Sequence, residues 1–236
     1  MCIRDRNAPI FNAPDAVKWI AGVTLLAHIG RVYLLSDEGA LSLMVDMAFI
    51  PARYSEATLA AHGVGWSLFS TPVTYLLVHG DLMHLLVNVL MFLAFGAAVG
   101  RRMGSWAMLQ FYVSCGLAGA LVFWFFNIGL IAPVIGASGA VAGIVGAVCR
   151  MSFRPSDPSN PMPFSGKSSA LGFVVVWMVL NFIFGMLPPE ALGMAGGGIA
   201  WETHLGGFIF GFIGISWFDG RGLPPNRFEF SPTAHT

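Results

Sequence analysis

The sequence predicts an all-α polytopic membrane protein with six transmembrane helices. Three observations carry this prediction. Of 236 residues, 56% are hydrophobic and only 10% charged, against about 25% charged in a typical soluble domain. Mean hydropathy is +0.73. Apolar runs near the length of about 20 residues needed to span a bilayer recur along the chain, and the Lys and Arg residues between them fall mainly on one side.

The first span covers about 16–35. It follows a polar start, Met1 to Lys18, and reads as a retained helix rather than a cleavable signal peptide. Residues 1–15 are then a short N-terminal segment. The stretch 36–80 carries Asp37, Glu38, Asp46, Arg53 and Glu56 between apolar patches, which suits a long folded interfacial loop better than a further span. The second, third and fourth spans cover about 82–99, 106–127 and 134–150, the fifth about 170–187 and the sixth about 199–218. The membrane domain is therefore 16–218. The tail 219–236 is polar, contains Pro224, Pro225 and Pro232, and has the composition of a disordered terminus.

Charge placement tests the count. Arg4, Arg6, Lys18, Arg101, Arg102, Arg150, Arg154, Lys167, Arg221 and Arg227 fall on one side, and only Arg31 and Arg53 on the other. The positive side faces the cytoplasm, which places both termini inside. Formal net charge is zero, so a nucleic-acid partner has no electrostatic support. Cys2, Cys115 and Cys149 are too few and too scattered for a disulfide framework; the latter two read as packing residues.

Polar groups inside spans are costly and mark function. Each helix that enters from outside carries one near its outer end: His84 and Asn88 in the second, Ser138 in the fourth, His204 in the sixth. At 1.5 Å per residue, Ser138 lies about 6 Å in from Val134 and His204 about 7–8 Å in from Ile199. With Asp81 as helix cap, His84 lies about 5 Å in and Asn88 about 10 Å. His84 and Asn88 are spaced i, i+4 and share a face. Gly136, Gly139 and Gly143 flank Ser138, and Gly207 and Gly211 follow His204, so the fourth and sixth helices can approach closely. That approach is what a serine hydroxyl and an imidazole need to hydrogen-bond. No carboxylate shares the layer, and Glu202, two residues from His204, faces elsewhere on a helix. The residues therefore suggest a Ser138–His204 dyad. The Ser138 N–H, the Asn88 amide and the His84 imidazole are candidate oxyanion donors.

These residues resemble the rhomboid intramembrane serine proteases. That family carries G-x-S-G at the start of its fourth helix, here Gly136-Ala137-Ser138-Gly139. A His followed by small residues stands in its sixth, here His204-Leu205-Gly206-Gly207, and H-x-x-x-x-H-x-x-x-N enters its second, here His79 through His84 to Asn88. Tyr112 and Gly116 in the third helix are also similar. The resemblance implies that Ser138 is the nucleophile and His204 the base, with His84, Asn88 and the Ser138 N–H as the oxyanion hole. It also implies single-span membrane proteins as substrates, cut near the outer face, and a prokaryotic-type inner membrane as the location. Three positions depart from the family pattern. Ser70-Thr71 replace a Trp-Arg pair, Ala142 replaces an aromatic that packs on the histidine, and Gly100 replaces an acidic residue.

Taken singly, Ser138 or Asn88 reads as interhelical packing, and His84 or His204 as a buried, satisfied histidine. The joint pattern favours catalysis. A binding-only relative would be expected to lack Ser138 or His204. A transporter or metal-handling channel is weakened by the absence of a His-Glu-x-x-His motif and of recurrence between the two halves. Neither a cofactor nor a metal is expected, and oligomeric state is not encoded in any feature of the chain. Helix five, Leu171 to Leu187, with the Gly-rich loop 188–198, is expected to act as a mobile lateral gate.

Overall fold

The computed structural model describes residues 13–153, 167–187 and 198–219. Residues 1–12, most of the 188–198 loop, the tail beyond Asp219, and Arg4, Arg6, Arg154, Arg221 and Arg227 lie outside them. The described residues are all-helical apart from loops and one isolated β-bridge.

Helix α1 (Asp15–Leu34) corresponds to the first expected span. The 36–80 segment folds into α2 (Asp37–Met47), α3 (Glu56–His62) and α4 (Ser67–Thr74), with 3-10 turns at Pro51–Tyr54 and Tyr75–Leu77. Ser36 and Ser55 start α2 and α3 as side-chain caps, accepting from Gly39 N and Thr58 N. Side chains of Arg53, Tyr54 and Thr74 fasten this segment. Arg53 donates to Ala48 O and Val45 O, at 2.9 and 2.8 Å. Tyr54 OH donates to Leu68 O, and Thr74 Oγ1 to Met47 O.

Four long elements follow: α5 (Leu82–Gly100), α6 (Ser105–Phe126), α7 (Ser138–Ser152) and α8 (Lys167–Met186). Helix α9 (Trp201–Phe218) completes the bundle. Helices α5 and α6 are long and apolar enough to cross a membrane; α7 and Leu171–Met186 of α8 are shorter apolar helices. Large apolar side chains stand exposed around the bundle, among them Leu90, Leu121, Phe125, Val176 and Trp217. A surface of that kind suits lipid rather than water.

The fourth helix starts later than expected. Val134 is extended and paired with Phe49, through Phe49 N to Val134 O (3.0 Å) and Val134 N to Phe49 O (2.8 Å). Ser138 is therefore the first residue of α7 rather than a full turn inside it.

Helix α7 is the centre of the bundle. All its residues except Ser138 and Arg150 are buried. Its glycine face meets α9 backbone to backbone. A Cβ at Gly207 would overlap the carbonyl oxygen of Gly139, and one at Gly211 that of Gly143. A Cβ at Gly146 would overlap Phe208 O, and one at Gly143 the side chain of Cys115 on α6. Cys115 and Cys149 are free, buried thiols. At the end of the bundle remote from Ser138, Arg102 Nε and Nη2 both donate to Asp219 Oδ2, at 2.9 and 2.7 Å. This pair ties the α5–α6 turn to the end of α9.

Candidate active site

The approach to Ser138 is built by long-range contacts. Gly136 adopts φ +110, a region that disfavours side chains. A Cβ there would also lie 2.6 Å from His84 Nε2, so both conformation and space require glycine. Gly136 N donates to Tyr75 O at 2.9 Å, and Tyr75 OH donates to Gly116 O at 2.8 Å. Tyr75 is fully buried and thus couples the residues before Ser138 to α6.

His79 is also fully buried. Its Nε2 accepts from Ala137 N–H at 3.3 Å, immediately before Ser138. Burial first, and the neighbouring His84 second, push its pKa down to about 3. The ring is therefore neutral at physiological pH and keeps the lone pair that accepts this bond. Arg31 Nη2 donates to His79 O at 2.9 Å and to Gly80 O at 3.3 Å, anchoring the same loop to α1.

Asp81 caps α5, accepting from His84 N at 2.8 Å. His84 packs edge-on against His79, with ring centroids 5.1 Å apart. Asn88 is buried, and its Nδ2 donates back to His84 O at 2.8 Å. That contact uses one of its two N–H donors and leaves the other. Ser138 at the start of α7 has a backbone N–H with no intrahelical partner.

His204 lies in the first turn of α9, next to Thr203. The Thr203 methyl and carbonyl pack on Gly139: a Cβ on that glycine would lie 2.6 Å from Thr203 Cγ2. Ser138 and His204 thus stand on adjoining first turns of the two most closely packed helices. Among the described residues no hydrogen bond joins Ser138 Oγ to His204. Glu202 accepts from Asn127 Nδ2 at 3.2 Å, so its carboxylate is turned toward α6.

The Rhomboid domain family model matches residues 64–221. The chain belongs to the rhomboid family. It is similar to RHOMBOID-like protein 5 of Arabidopsis thaliana, at 28% identity over 67% of this chain and 45% of that protein. It is also similar to Rhomboid protease GluP of Bacillus subtilis (strain 168), at 30% identity over 72% of this chain and 28% of that protein. Presenilin-associated rhomboid-like protein A, mitochondrial, of Danio rerio matches at 28% identity over 61% of this chain and 35% of that protein. The chain spans less than half the length of these curated relatives.

In this rhomboid the His204 ring is supported from a helix that the sequence reading left out of the site. Asn181 on α8 hydrogen-bonds His204 Nδ1 through its Oδ1. Asn181 Nδ2 donates to Trp177 O at 2.8 Å, which fixes which end of the amide faces the imidazole. Trp177, one turn earlier, lies 6.5 Å from His204 between ring centroids and stacks on Phe208 at 4.9 Å. The i, i+4 pair Trp177/Asn181 therefore meets the i, i+4 pair His204/Phe208. Ala142 belongs to the same apolar cluster as Phe208 and Trp177; a small residue on α7 goes with an aromatic arriving from α8. The signal for Asn181 was present in the sequence. It is the sole amide, hydroxyl or charge between Leu171 and Met186, and such residues in a span mark function.

Proposed function

We propose that this rhomboid is an intramembrane serine endopeptidase acting through Ser138 and His204. The observation that carries the reading is the glycine seam below these residues. The Gly207–Gly139 and Gly211–Gly143 approaches bring α7 and α9 close enough for a serine on one to reach a histidine on the other.

In this scheme the neutral His204 takes the Ser138 proton on Nε2 while Oγ attacks the scissile carbonyl. The oxyanion is held by the Ser138 N–H, the His84 ring and the remaining Asn88 N–H, with Gly136 keeping His84 against the approach to the serine. His204 then gives the proton to the leaving amine. A water, activated by the same base, releases the acyl group and restores Ser138. No metal or cofactor takes part.

The proposed architecture is a six-span membrane domain over 16–218, flanked by segments 1–15 and 219–236 with both termini cytoplasmic. The proposed location is a prokaryotic-type inner membrane. Substrates are single-span proteins cut near the outer face, where the cleavable segment must first unwind; Gly or Pro near the cut site favours that. The α8 helix is the proposed lateral gate.

The test is cleavage of a model single-span substrate in liposomes by wild type, Ser138→Ala and His204→Ala. Both variants are expected to lose activity by at least about 10³-fold. Cleavage that survives Ser138→Ala sinks the proposal. A fluorophosphonate that fails to label wild-type Ser138, with no cleavage, points instead to a rhomboid that binds membrane proteins without cutting them.

A further inference from the structure

Asn181 is a polar side chain in a helix that is otherwise apolar from Leu171 to Met186. Two bonds account for its amide: Nδ2 donates to Trp177 O, and Oδ1 faces His204 Nδ1. The first bond settles the second. With Nδ2 committed to its own helix, the group presented to His204 is an oxygen without a proton. The proton in the bond must then sit on Nδ1, and the other ring nitrogen, Nε2, carries the lone pair.

We propose that Asn181 is a positioning residue that holds His204 in the Nδ1–H tautomer, leaving Nε2 free to take a proton from Ser138. The inference rests on the serine-hydrolase reading above for its catalytic meaning, though the tautomer itself does not. It also gives α8 a second role. Trp177 limits rotation of the ring by packing beside it and on Phe208, while Asn181 sets its protonation pattern. Both contacts come from α8, so the base is correctly set only while α8 lies against α9. A helix that moved aside to admit a substrate would release the imidazole and restore it on closing. An amide suits this better than a carboxylate, because a charge in an apolar span is costly each time it loses its partner.

The experiment uses the full chain in detergent micelles with ¹⁵N-histidine, the His204 signals being assigned by their loss in His204→Ala. Wild type is expected to show a protonated Nδ1 and an unprotonated Nε2. Asn181→Leu is expected to lose that pattern and to lower kcat by at least about tenfold with little change in KM, a part of the roughly 10²–10⁴-fold that a positioned base contributes. Asn181→Asp retains an acceptor and adds a charge that favours imidazolium, so its acid limb should move to higher pH. His84 on α5 is the titratable neighbour of His204, and Glu202 on α9 is engaged by Asn127; both are unchanged in these variants. An unaltered tautomer in Asn181→Leu, or unaltered kcat with an unshifted limb in Asn181→Asp, overturns the proposal. If Ser138→Ala retains activity, the hydrolase reading fails instead, and the nitrogen spectra still decide whether Asn181 sets the tautomer.

Discussion

The α7–α9 seam and the α8 helix border the same site but are built by opposite rules. At the seam, glycines on both helices bring the backbones together, and Gly207 and Gly211 rest on the carbonyls of Gly139 and Gly143. Helix α8 meets the bundle through large side chains instead: Trp177 on Phe208, and Phe173 against Phe95 of α5 at 6.2 Å. Backbone contact of the first kind allows one geometry, because any added atom separates the helices. Packing through aromatic side chains can slide and reseat, at a cost set by rotamers rather than by the chain itself. The two residues of the proposed dyad stand on the glycine-packed pair, and the side chains that contact His204 stand on the helix packed through aromatics.

The comparison breaks most visibly at Gly211. Gly211→Val places a branched side chain against the Gly143 carbonyl, and the expected outcome is loss of a folded, monodisperse protein along with all activity. A folded, active Gly211→Val would show that the seam is not the fixed element. A smaller, selective effect is expected on the α8 side. With Cys2→Ser as background, Phe95→Cys and Phe173→Cys joined by a short thiol crosslinker should pin α8 to α5. Cleavage of a membrane-embedded substrate should then drop about tenfold or more, while a small fluorophosphonate still labels Ser138. Equal cleavage before and after crosslinking would remove α8 as the gate.

The smallest effect concerns His79, which supports the serine from outside both elements. Its pKa of about 3 in the folded protein, against 6.5 as the ordinary value, means that the unfolded chain binds more protons between these limits. Its contribution to stability is fully present above about 6.5 and is lost as pH falls toward about 3. Melting temperature should therefore decline on acidification from pH 7 to 4, and the decline should be shallower in His79→Gln, which keeps an acceptor for Ala137 N–H but does not titrate. Parallel curves would assign the acid sensitivity to other groups.

Much of this arrangement was legible in the sequence, and what escaped has a physical reason. The cap at Asp81 and the i, i+4 relation of His84 and Asn88 are local, so spacing alone gave them. The glycines around Ser138 and after His204 announced a close approach because small residues let helix backbones come together. The start of α7 was misplaced because its determinant, the Phe49–Val134 bridge, joins residues far apart in the chain. The departure at Ala142 pointed to a gap beside His204 but not to what fills it, since Trp177 and Asn181 arrive from another helix. A lone Asn in an apolar run has the same local pattern whether its amide meets a backbone carbonyl or a histidine ring on another helix. The loop 36–80 showed its charges but not its fastenings, because Arg53, Tyr54 and Thr74 bond to carbonyls that no pattern marks.

The burial of α7 also bears on the order of synthesis. All but two of its residues are covered by neighbours, and α9, which covers its glycine face, is translated after it. While the ribosome is still making the intervening chain, α7 has no finished berth and Ser138 lacks His204. Under the proposed mechanism, a nascent chain of this design has no complete dyad until α9 has joined α7.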